Sequence, residues 1–153
     1  MRYTGGWLYD QVAAGWEVVV LVPEHADIRP LEILGASTVD LESALESSEH
    51  GPMPDTIAVA SDLYESDARV RDGLRDLIAG NHTTITMWGD SVPAELDARF
   101  GSTQHRLSRA AQVFKSHALA AASVSSTQVG PTECFRTGGT VGMPMRGRLA
   151  AIH

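Results

Sequence analysis

A three-layer α/β sandwich on a mostly parallel sheet of four or slightly more strands is the fold this sequence predicts. Three observations predict it. The runs at 18–22 and 56–60 are unbroken by charge and do not alternate, as in strands covered on both faces. Stretches with apolar residues at helical spacing lie between such runs. The separations are too long for hairpins, so right-handed crossovers must join parallel neighbours. This is a Rossmann-like or flavodoxin-like arrangement.

Each element has its own signal. Trp7, Leu8, Val12 and Ala13 share one face of a short helix over 5–14, and Gly15 terminates it. The β-branched run 18–22 is the first strand, and Pro23 ends it. Pro30 suits the first turn of a helix through Leu31, Ile33 and Leu34, closed by Gly35. A brief strand at 37–40 follows, with Asp40 placed to cap a helical turn reaching Leu45. Residues 50–54 contain Gly51, Pro52 and Pro54 and read as a loop. Residues 56–60 form the third strand. Val70, Leu74, Leu77 and Ile78 then mark a helix over 66–79, stopped at Gly80 and Asn81. The fourth strand is 83–88. Helical sequence resumes at Pro93, pauses near Gly101 and Ser102, and runs to about Ala122 through Leu107, Ala111, Phe114 and Ala118. Residues 1–122 are thus the predicted α/β domain. Residues 123–153 are rich in small residues, Gly and Pro, with Phe135 and Met143 as their main large apolar side chains, and are expected to form an irregular C-terminal tail or arm.

Composition narrows the class. The chain has 153 residues, 43% hydrophobic and 20% charged, which fits one globular domain and not a disordered chain. No apolar run approaches the roughly 20 residues that span a bilayer, and residues 1–10 lack the pattern of a leader peptide. Cys134 is the only cysteine, so it forms no internal disulfide and founds no zinc framework. A cytoplasmic protein without a membrane contact is expected. Eleven arginines against the single Lys115 suggest a GC-rich bacterial source.

Charge is uneven along the chain. Residues 1–100 carry 18 acidic and 6 basic side chains, whereas 101–153 carry six basic ones against Glu133 alone. The dilute spacing of Arg106, Arg109, Lys115, Arg136, Arg146 and Arg148, without interleaved aromatics, argues against nucleic acid as the partner. A basic segment packed on the acidic body of its own chain or of a second copy is the simpler expectation.

Parallel sheets bind ligands beyond the carboxyl ends of their strands. That rule nominates Glu24 and His25 after the first strand, Asp62 and Tyr64 after the third, and Asp90 and Ser91 after the fourth. Converging carboxylates can hold Mg²⁺ or share out acid and base roles. Each of Asp62, Asp90 and Ser91 is equally placed to cap the helix that follows it. Among the six histidines there is no H-E-x-x-H and no i, i+4 pair, so no metal is assigned; the cofactor is unknown. Trp7, Trp16 and Trp88 sit in apolar elements and are assigned to the core.

Three short motifs carry resemblances. Gly89, Asp90 and Ser91 after an apolar strand resemble the first block of the SGNH/GDSL hydrolases, which implies a serine nucleophile. The asparagine and Asp-x-x-His that this family carries downstream do not follow here. Gly5 and Gly6 opening a helix, with 18–22 and Glu24 behind, resemble the middle of a dinucleotide-binding unit, without its preceding strand or its Gly-x-Gly-x-x-Gly spacing. The order Ser61, Asp62, helix, strand, Asp90, helix is similar to that of the metal-dependent NYN/PIN nucleases, whose initial strand and aspartate are unmatched.

The expected function is therefore a non-catalytic protein-interaction or self-associating module, contacting a second copy or a protein partner through the helix at 103–122 and the tail. The alternative is a small-ligand-binding protein or NYN/PIN-like metal-dependent hydrolase that uses the strand-end acids.

Overall fold

The computed structural model describes residues 1–46, 53–80, 83–89, 93–124, 129–138 and 147–152. The chain opens with helix α1 (Gly5–Ala13), which Gly15 ends in the left-handed conformation. Strand β1 (Glu17–Val22), helix α2 (Arg29–Ile33), strand β2 (Ser37–Asp40) and helix α3 (Leu41–Glu46) follow. Pro30 stands in the first turn of α2, and Asp40 accepts from the Ser43 amide at 2.8 Å, the expected cap of α3. Next come β3 (Thr56–Ala60), α4 (Ser61–Ser66), α5 (Ala68–Gly80) and β4 (Thr84–Trp88). Every residue of β3 and β4 is buried; the β3 run accordingly does not alternate, whereas β4 buries Thr84 and Thr86 between its apolar residues.

The sheet is larger than expected and mixed. Its order is β2-β1-β7-β3-β4-β6-β5, seven strands in place of about four. β2, β1, β7, β3 and β4 run parallel, so the four predicted strands do point one way. β6 (Thr132–Gly138) pairs antiparallel with β4, and β5 (Gly101–Arg106) pairs antiparallel with β6. Helix α6 (Ala94–Asp97) precedes β5, and α7 (Arg109–Ala121) follows it.

Two expectations are corrected here. The segment expected to be an irregular tail supplies β6 and β7 (Arg148–Ile152), and β7 lies between β1 and β3 near the middle of the sheet. The helix expected over 103–122 is a strand followed by a helix that starts only at Arg109, where Ser108 Oγ caps it by accepting from the Ala111 amide at 3.0 Å. Both have one cause. Strand structure at β5, β6 and β7 depends on partners far away in sequence, and residues such as Gly101, Ser102 and Gln104 carry no apolar period of their own.

Apolar side chains cover both faces. Trp7, Trp16, Leu31, Val18, Val20, Ala58, Trp88, Phe135 and Leu149 form one buried cluster, so all three tryptophans are core residues. Ile57, Val59, Tyr64, Val70, Leu74, Met87, Phe100 and Ile152 form the other. The alternation of Leu149 and Ile152 between clusters shows β7 contributing to both cores. The basic segment also packs on its own chain: Arg148 holds Glu17 at 2.8 Å, and Arg136 pairs with Asp97. No helix among the described residues is long and apolar enough to cross a membrane.

Since β1 and β3 meet only through β7, a chain ended after Ser123 loses the strand that joins the sheet's two parts. Such a chain is expected to show no cooperative thermal transition by circular dichroism; a sigmoidal melt near the parent temperature would contradict this topology. Leu149→Ala in the full chain, at a site with 0% exposure, is expected to cost about 2–5 kcal/mol in chemical denaturation.

Candidate functional site

The strand-end rim carries the candidates that sheet topology nominates. Pro23, Glu24 and His25 are exposed beyond β1. Asp62 is exposed in the first turn of α4, where its carboxylate accepts from the Leu63 amide at 3.0 Å. Tyr64 is 1% exposed and belongs to the core on the α5 side, so its ring does not line the rim. Asp90 and Ser91 lie outside the described residues, as do His50, His82, His153 and Arg146. Neighbouring tips do touch: Gly89 sits at φ +136° against buried Ser61, and any Cβ there would collide with the serine hydroxyl. Among the described residues, no group of three or more His, Cys, Asp or Glu is gathered as a metal would need. Of the six candidates, Glu24, His25 and Asp62 are therefore surface residues at strand ends, and Tyr64 is packing.

The most concentrated chemistry lies elsewhere, at the start of α1. The N-cap residue Thr4 makes no side-chain cap bond. Glu133 of β6 does that work from 127 residues away. One carboxylate oxygen accepts from the Gly6 amide at 3.0 Å, and the other accepts from the Trp7 amide at 2.8 Å. Lys115 of α7 closes the arrangement, its Nζ donating to Glu133 Oε1 at 2.6 Å. Both charged side chains are buried. An isolated buried carboxylate would be costly, but two amide donors, the positive end of the helix dipole and an ammonium offset its lost hydration. Gly6 allows the close approach: a Cβ there would come within 2.5 Å of Leu107.

This arrangement accounts for the dinucleotide-like look of Gly5 and Gly6. Amides at the opening of a helix are suited to a phosphate, yet here the Gly6 and Trp7 amides are engaged by an internal carboxylate and the Gly5 amide by the Met1 carbonyl. Sequence reading passed over Glu133 because its partners are backbone groups. A signal was present: the only lysine of the chain sits four residues after Ala111 and three before Ala118, on a stripe that turns inward.

Burying Lys115 sets the rotation of α7. Ala111, Lys115, Ala118 and Leu119 face inward, and Phe114, expected in the inward stripe, is turned outward and 39% exposed. Val113 beside it is 53% exposed. The Phe114 ring stacks on Tyr9 of α1, with centroids 4.5 Å apart. Ala110, Val113, Phe114 and His117 therefore make one solvent-facing stripe, mixed apolar and basic with Arg109.

The same corner carries β5. Asp10 of α1 accepts from His105 at 2.8 Å and from the Ser108 amide at 3.1 Å, fastening α1 to the end of β5 and the start of α7. Burial alone would raise the Asp10 carboxyl, but hydrogen bonds from Ser108 and His105 outweigh it and hold it below 3.8.

Comparison with known proteins adds no family: no family model, curated protein or solved structure matches the chain.

Because the folded carboxyl of Asp10 titrates lower than the unfolded one, its stabilising effect is complete above 3.8 and fades as pH falls through the folded value. Asp10→Asn is thus expected to lower the melting temperature at pH 7, with the gap to the parent closing below pH 3.8. Thermal melts across that range check it; a gap independent of pH would show that the charge contributes nothing.

Proposed function

We propose that this chain is a non-catalytic interaction module that associates with a second copy of itself, with α7 and the adjoining β5 as its contact region. The observation that supports this reading is the outward pair Val113 and Phe114, two large apolar side chains held in water on a helix whose other face is packed. Burying what remains exposed of each, 53% of Val113 and 39% of Phe114, is favourable by about half of the roughly 1.5–3 kcal/mol that full burial of such a side chain supplies. The monomer leaves that gain unused.

Light scattering across a concentration series tests the reading. The parent is expected to move from monomer toward dimer as concentration rises. In Val113→Ser with Phe114→Ser, the midpoint should shift to at least about tenfold higher concentration, since each 1.4 kcal/mol is a factor of ten. Val113→Ser alone, at the more exposed of the two positions, should weaken association with little change in melting temperature, whereas Phe114→Ser also gives up the stack on Tyr9. A parent that stays monomeric throughout would end the proposal.

The strand-end rim supplies the second reading, favoured by the parallel run of β1, β7, β3 and β4, which puts their tips on one side. The interaction reading expects a melting temperature unmoved by Mg²⁺ or nucleotides. A saturable rise with either would favour the small-ligand or metal-dependent alternative.

A further inference from the structure

We infer that two copies join by antiparallel pairing of β5 with β5 of the second copy, continuing the sheet across a two-fold axis. The inference rests on the self-association reading above and names its geometry.

Among the described residues, β5 is the outermost strand, bonded on one side only, to β6. Gly101, Ser102, Thr103, Gln104 and Arg106 are exposed, and only His105 is half-buried. One row of its backbone amides and carbonyls therefore faces outward along six residues. Natural edges are usually guarded against such pairing by proline, lysine, a bulge or brevity. β5 has none of these: its register with β6 is unbroken over six consecutive pairs, and its sequence lacks proline and lysine. The other edge, β2, is only four residues long and ends on the charge of Asp40.

The occupant follows from charge and pleat. A two-fold axis normal to the sheet makes antiparallel neighbours, and residues opposite each other must point to the same face. Only registers centred on a residue satisfy this. Centred on Thr103, the strand sets Thr103 against its own copy, Ser102 against Gln104, and His105 against Gly101. Centred on Gln104, it sets Ser102 against Arg106 and Thr103 against His105. Both keep every cation opposite a neutral residue and offer hydroxyl or amide pairs across the axis. A register centred on Arg106 would put two guanidinium cations together. An acidic strand is not needed to match this edge; its own copy does.

The same axis keeps α1 and α7 of both copies on the same face of the enlarged sheet. Asp10 of α1 bonds His105 of β5 and the Ser108 amide before α7, and Tyr9 beside it stacks on Phe114, so the apolar pair lies on the helices fastened to this strand. Strand pairing supplies direction and register, and the helix supplies apolar area. A stable interface needs both, because about 1,000 Å² in total must be covered.

Single cysteines test the geometry. In a Cys134→Ser background, Thr103→Cys or Gln104→Cys is expected to form a disulfide-linked dimer under mild oxidant, about tenfold or more faster than Val39→Cys on the opposite edge, since pairing raises the local thiol concentration. Whichever of the two links faster reports the register. Linking at neither position, in a protein that light scattering shows to be dimeric, would overturn the strand pairing and leave self-association standing. Equal linking at Val39→Cys would overturn it likewise. A chain monomeric at every concentration would overturn both.

Discussion

One buried carboxylate organises this molecule. Glu133 reaches from β6 to the first amides of α1 and to Lys115 of α7, and so ties two helices to one strand. A charge in that position does not tolerate misplacement, because a donor moved away leaves desolvation without its compensation. The consequence is orientation. α1 must begin over β6, and α7 must turn Lys115 inward. That rotation puts Phe114 and Val113 outside. The surface credited with self-association is thus the reverse side of a buried ion pair.

Topology imposes a second constraint. The two parallel pairs, β1 with β2 and β3 with β4, are formed from consecutive stretches of chain, but among the described residues no backbone ladder joins them until β7 arrives between β1 and β3. The strand completed last in sequence is central in space. Long loops must therefore close before the sheet is whole, an ordering that makes folding slow relative to helical proteins of this length. Central position also explains the small side chains of β7: Ala150 and Ala151 lie between neighbours already filled by Val19, Val20, Ile57 and Ala58. A bulkier strand would overfill both cores.

What could be read from sequence divides along the same line. The runs 18–22 and 56–60 mark β1 and β3, the second buried throughout, and β4 is marked by Ile85, Met87 and Trp88 with buried threonines between; their parallel direction follows from the crossovers. α5 and the Asp40 cap are local patterns and were equally legible. β5, β6 and β7 were not. Their strand state comes from partners 26 to 131 residues away, and a stretch such as Gly101 to Arg106 has no inward face to mark. The candidate site shows the same division. Tyr64 follows β3 in the sequence, but its place in α4, 1% exposed, has no mark in the chain. Glu133 was visible as the lone acid of a basic segment; its role depends on amides, which have no letter in a sequence. Phe114 was assigned inward on spacing that Lys115 satisfies one residue later.

The central claim is that Glu133 and Lys115 act as one unit that fixes α1 and α7. A double-mutant cycle with Glu133→Leu and Lys115→Met, followed by chemical denaturation, measures it most directly. Each single substitution is expected to cost about 3–5 kcal/mol by stranding a buried charge or two helix amides, and the pair together less than the sum of the two. If each single change costs under about 1 kcal/mol, or the two effects simply add, the ion pair is incidental and the outward face of α7 needs another cause.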